Sequence, residues 1–244
     1  MSFWNTTIGA TIGLALCGPI GALLGGVIGY RFGSRGKRSS FSTNQQHQVA
    51  FFTALFACLA KLAKADGIVS KEEIQAVDRF IKERFKFDSD QRKFAIEIFN
   101  HAKEDKNTYE DYAQQLSALL RNNKNALLVF YELLFELAMA DGVLHKKEEE
   151  LLRNTVYIFD IDPNIFENLK SQSLDSNLSP YSVLGVSEDM EFEEIKRIYR
   201  QKRKEFHPDT LISKGLPEEL IERAKEKFIE IQEAYEAIEK KRNQ

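Results

Sequence analysis

His207, Pro208 and Asp209 stand together near the end of a 244-residue chain that has only 4 His and 5 Pro. An imidazole and a carboxylate so close could serve as a general acid–base pair. Proline between them fixes the backbone and limits their approach, and no nucleophile motif or His cluster accompanies them. The tripeptide therefore reads as a recognition turn and the chain as a non-enzyme. Two acidic pairs, Asp66 with Glu73 and Asp141 with Glu148, could bring carboxylates together for a divalent cation. Hard cations want several oxygen ligands, and two carboxylates per turn is a thin supply. These four are the weakest candidates, and no metal or cofactor is implied. Cys17 and Cys58 form no C-x-x-C pair, which excludes a cysteine zinc module and a disulfide scaffold.

The elements around the tripeptide are legible. Pro180 to Val186 predicts a short helical turn ending at Gly185. A helix at about 191–206 has Ile195, Ile198, Tyr199 and Phe206 on one side, and Lys196, Arg197, Arg200, Arg203 and Lys204 over its exposed faces. Residues 196–204 carry six positive charges and no negative one. After the tripeptide a loop runs to Pro217. A last helix over 218–241 follows, with Ala224, Phe228, Ile231, Ala234, Tyr235 and Ile238 as its core stripe.

A His-Pro-Asp turn between two such helices resembles the J domain. So do the Tyr181-x-Val-Leu-Gly-Val opening, Ile195-Lys-Arg-Ile-Tyr199-Arg and Gln232-Glu-Ala-Tyr235-Glu. The resemblance covers residues 179–244. It implies a DnaK-type Hsp70 partner whose ATP hydrolysis the turn triggers, with His207, Pro208, Asp209, Lys196, Arg197, Arg200, Arg203 and Lys204 as the docking set. A basic helix also suits nucleic acid, but residues 180–244 hold 13 basic and 15 acidic side chains, which speaks against a phosphate-binding module. Lys202 departs from the family pattern by standing where an apolar core residue is usual; its stem can pack while the amine reaches water. Thr210 follows the tripeptide where Lys is frequent.

Upstream the chain reads as helix upon helix from Gln45. Periodicity and caps place helices up to Asp66-Gly67, from Ser70, and at about 90–104, 108–121, 125–140, 146–159 and 163–171. No alternating run argues for a strand. Ala65-Asp66-Gly67-Ile68-Val69 recurs 75 residues later as Ala140-Asp141-Gly142-Val143-Leu144, each copy closing an apolar helix and opening a charged one. The pair of turns resembles the TerB-like helical domain over residues 45–171.

The first 30 residues carry no charge, and nine of the 13 glycines fall at or before Gly36. Ile8 to Ile28 would form a helix of about 31 Å, the thickness of a bilayer's hydrocarbon core. Trp4 and Tyr30 flank it, and Arg31, Arg35, Lys37 and Arg38 follow on one side only. The positive-inside rule puts the N-terminus outside and the rest in the cytoplasm, single-pass through an inner membrane. No basic region precedes the span, as a cleaved signal would need. Gly9, Gly13, Gly21, Gly25 and Gly29, with Cys17, make a stripe of small residues at every fourth position. Such stripes favour close helix pairing in lipid, so a homodimer through this helix is expected, with Pro19 as a kink midway.

The expected organisation is all-α: an anchor at 1–32, a basic linker at 33–44, the TerB-like domain at 45–171, a linker at 172–178 and the J domain at 179–244. The order, together with the loop Leu211 to Glu219, resembles the membrane-anchored DjlA-type J proteins. That resemblance implies a co-chaperone delivering an Hsp70 to a membrane's inner face. The competing reading is a membrane-tethered sensor or scaffold whose central domain binds a ligand or protein, with the J domain as output.

Overall fold

The computed structural model describes residues 18–32, 43–65, 67, 71–85, 87–121, 123–139, 142–174, 179–207 and 218–242. Every regular element among them is a helix. The chain divides into two compact units, residues 1–160 and 161–244.

The first unit is built around α2 (Thr43–Ala63). From Val49 to Ala60 every side chain of α2 is buried, because the helix is apolar on all faces and neighbours surround it. These are α1 (Pro19–Phe32), α4 (Ser89–Glu104), α5 (Tyr109–Leu119), α6 (Lys124–Ala138) and α7 (Lys146–Phe159). Helix α3 (Lys71–Arg84) lies on α4, where a two-pronged ion pair from Arg92 to Asp78, at 2.6 and 2.7 Å, ties them together. Phenylalanines fill the spaces: Phe51 meets Phe130 edge-on at 5.1 Å, and Phe52 meets Phe85 at 5.6 Å. Offset and edge-to-face rings add specificity to the area they bury. Cys58 lies in this core with no exposed surface, and burial pushes its thiol pKa far up.

The glycines that close the two repeated Ala-Asp-Gly segments bond alike. Gly67 N donates to Lys64 O at 3.0 Å, and Gly142 N to Met139 O at 2.9 Å. Both glycines have positive φ, +135° and +82°, as the left-handed turn after a helix requires. Asp66, Ser70 and Asp141 lie outside the described residues, as does the side chain of Glu73.

At the N-terminal end, the expected membrane span is only partly within the described residues. Helix α1 begins at Pro19, preceded by Gly18 with φ +110°. Proline lacks an N–H and suits the first helical turn, so here it opens a helix instead of kinking one. Among the described residues no helix is long and apolar enough to cross a membrane.

The second unit holds α8 (Ile165–Leu174), α9 (Pro180–Leu184), α10 (Phe192–Glu205) and α11 (Glu218–Arg242). Helix α11 packs along α9 and α10, and α8 touches α9. Ser179 caps α9 and Pro180 takes its first position; Gly185 closes it at φ +62°, a conformation that costs other residues about 1 kcal/mol.

Candidate functional site

The expected apolar stripes form the core of the second unit. Ile195 of α10, Phe206 just past its end, and Ala224, Ile231, Ala234, Tyr235 and Ile238 of α11 are all buried. Tyr199 stacks on Tyr235 at 4.0 Å between centroids, and Phe192 stacks on the same ring at 6.1 Å. The Tyr235 hydroxyl donates to Glu239 at 3.0 Å; burial first, then this bond, pushes its pKa up to about 12. The far end of α11 is fastened too. Arg242 donates to the carbonyls of Glu188 and Met190 at 2.6 and 3.0 Å, and Lys241 pairs with the Glu188 carboxylate.

This core sets the basic side chains outward. Lys196 and Arg197 reach back to Glu193 and Glu194 at 3.8 and 3.6 Å. Such exposed pairs contribute little stability. Arg203 lies over the Phe228 ring at 5.8 Å. Arg200 and Lys204 are exposed and make no ion pair among the described residues. Lys202 is half-buried, its ammonium against Gly185, 3.6 Å from where a Cβ would stand.

His207 follows the last turn of α10, exposed, its ring edge-on to Phe228 at 5.6 Å. Phe206, just before it, is buried, so the core holds the point from which the turn departs. Pro208 and Asp209 lie outside the described residues. One face thus carries His207, Arg200, Arg203 and Lys204: it is cationic, with Arg203 and His207 set against the Phe228 ring, and a charge of that sign attracts acidic surfaces.

The remaining candidates fall elsewhere. Glu148 accepts the His145 N–H at 3.0 Å, a capping role at the start of α7 that explains its place without an ion. Among the described residues no group of three or more His, Cys, Asp or Glu could hold a metal. In α1, Gly21 is buried and Gly25 faces outward, with nothing within 4 Å of an added Cβ. Gly9 and Gly13 lie outside the described residues, as do the surroundings of Gly29.

The first unit has a feature that the sequence did not announce. An open cleft of about 550 Å³ lies where α2 ends and α7 begins, lined by Lys61, Lys64, Tyr109, Glu110, Lys147 and Glu150 with Leu151. Its signal was divided among three helices whose spacing only the fold sets. The Tyr109 hydroxyl donates to Thr155 at 2.5 Å, since Thr155 itself donates to Leu151 O.

Comparison with known proteins follows the same order. The family model described as Co-chaperone DjlA transmembrane domain matches residues 1–39, that of Tellurite resistance protein TerB residues 52–171, and the DnaJ domain residues 179–244. Proteins named Co-chaperone protein DjlA are similar along their length. That of Photobacterium profundum is 31% identical over 98% of this chain and 99% of its own, and that of Coxiella burnetii 30% over 100% and 99%. The Vibrio parahaemolyticus protein is 31% identical over 87% of this chain and 84% of its own. No solved structure matches. With three matched domains in that order and relatives aligned from end to end, the chain belongs to the DjlA family of membrane-anchored, J-domain co-chaperones.

Proposed function

We propose that this protein recruits a DnaK-type Hsp70 to the cytoplasmic face of the inner membrane and stimulates its ATPase through the His207-Pro208-Asp209 turn. The observation that carries this is the exposed His207 at the end of a basic helix whose Arg200 and Lys204 make no ion pair among the described residues. In this reading the protein performs no chemistry of its own. The basic face attracts the partner and the turn supplies the trigger. Residues 1–32 form a single span with the N-terminus out, as the basic residues on its C-terminal side suggest. The stripe of Gly9, Gly13, Gly21, Gly25 and Gly29 pairs two copies in the lipid.

A steady-state ATPase assay with the organism's own Hsp70 tests the trigger. His207→Gln is expected to abolish the stimulation and leave helical content unchanged, because the ring lies outside the buried core. Stimulation equal to that of the parent would remove the co-chaperone mechanism at its centre. Protease added to intact spheroplasts tests the topology, and residues 45–244 are expected to survive.

The cleft favours a second reading, in which the central domain binds a ligand carrying both charges and the J domain is its output. Deleting residues 45–171 separates the two. Lost cellular function with intact Hsp70 stimulation supports the sensor.

A further inference from the structure

Helix α1 has two unlike faces. Ile20, Leu23, Leu24 and Val27 recur at i, i+3, i+4 and i+7, and none is more than 5% exposed. Ala22, Gly25 and Gly26 face outward. The large face is seated on α2, α4 and α5. Gln115 of α5 marks the head of the seat: its Oε1 accepts the Ile20 N–H at 2.7 Å, one of the backbone donors a helix start leaves unsatisfied. The same amide crosses Gly18 so closely that an added Cβ would meet it at 2.9–3.1 Å. The seat therefore accepts a helix, through an apolar stripe and a bare N–H at its first turn, as helix-in-groove recognition requires.

The same residues lie within the matched transmembrane domain. As 14 residues, α1 covers about 21 Å, short of the roughly 30 Å of hydrocarbon to be crossed. Spanning the bilayer means lengthening the helix upstream of Pro19 and lifting its large face from the protein into lipid.

We infer that the α2/α4/α5 seat is a binding groove for an apolar-faced helix of another polypeptide. The chain's own α1 fills it outside the bilayer and vacates it on insertion. The inference rests on the anchored reading above. The partner's chemistry is that of α1: four aliphatic side chains at i, i+3, i+4 and i+7, small residues opposite, and no charge near the first turn.

The test uses the full chain in phosphatidylcholine nanodiscs. The probe is a fluorescent peptide of residues 18–32 made soluble by Gly25→Lys and Gly26→Lys, both on the outward face and past the first turn. Anisotropy is expected to show saturable binding to loaded discs and none to empty ones. Leu24→Lys in the peptide should weaken binding at least tenfold. Gln115→Ala in the chain should weaken it about fivefold, as loss of one net hydrogen bond does. The peptide change leaves the protein untouched, so it decides the matter should the Gln115 variant not fold. If the chain enters the discs and the peptide binds loaded and empty discs alike, or Leu24→Lys binds as tightly, the groove is refuted and the anchor stands. If the chain stays out of the discs, the anchored reading falls and the open groove with it.

Discussion

Asp105, just past the end of α4, gathers neighbours from two elements around one carboxylate. Lys61 pairs with it at 2.7 Å and donates to its carbonyl at 3.1 Å; Asn107 donates to it twice at 3.1 Å, and the Tyr112 hydroxyl donates to it as well. Removing the carboxylate breaks the ion pair and the three side-chain-accepted bonds at once, leaving Lys61 only the Asp105 carbonyl and Asn107 only the Tyr112 hydroxyl, at 3.4 Å. Asp105→Ala should cost about 2–3 kcal/mol, in line with hydrogen bonds to charged groups, read as a shifted urea midpoint. The tyrosines make a second residue-scale prediction. Tyr109, Tyr112, Tyr131 and Tyr235 all have raised pKa values, with burial the leading cause in each. A phenol whose folded pKa exceeds its unfolded value near 10 stabilises the fold fully below pH 10 and loses that contribution as pH rises toward the folded value. Thermal melting should therefore hold steady up to about pH 9 and fall between pH 10 and 12. His207 was legible because its neighbours in sequence are its motif. Asp105 and Gln115 were not, since a lone Asp after a helix and a Gln within one are ordinary, and their partners lie 44 and 95 positions away.

At the scale of elements, caps decide where the helices start and stop. Asp88 accepts from the N–H groups of Asp90 and Gln91 while Gln91 accepts the Asp88 N–H, and Thr108 and Asp111 reciprocate in the same way. Thr108→Ala should lower stability by about 1 kcal/mol. Gly185→Ala should cost a similar amount, because φ +62° is unfavourable with a Cβ while the nearest side-chain atoms, 3.5 and 3.6 Å away, leave room for a methyl. Calorimetry on the two variants checks both. The helical periods were readable because a buried stripe repeats every three or four residues. Helix α1 was harder: its run is apolar on the large face and the small face alike, so nothing in it says whether lipid or protein receives the large face.

For the whole molecule, net charge −3 over 244 residues conceals a cationic face in one unit and an amphoteric cleft in the other. Long-range attraction to that face is screened beyond about 8 Å at physiological ionic strength. Arg200→Glu should therefore raise the half-saturating Hsp70 concentration, leave the maximum rate near normal, and flatten the salt dependence. Titrations at 50 and 300 mM salt check it.

The burial of Cys58 has a practical consequence. A thiol in the interior of α2, with its pKa forced upward, reacts with an alkylating reagent only when the first unit opens. In a Cys17→Ser background it is the chain's sole thiol. Its labelling rate then becomes a clock for opening of the central bundle. A protein held in a vesicle, where denaturant and heat disturb the lipid first, can be timed by that clock without either.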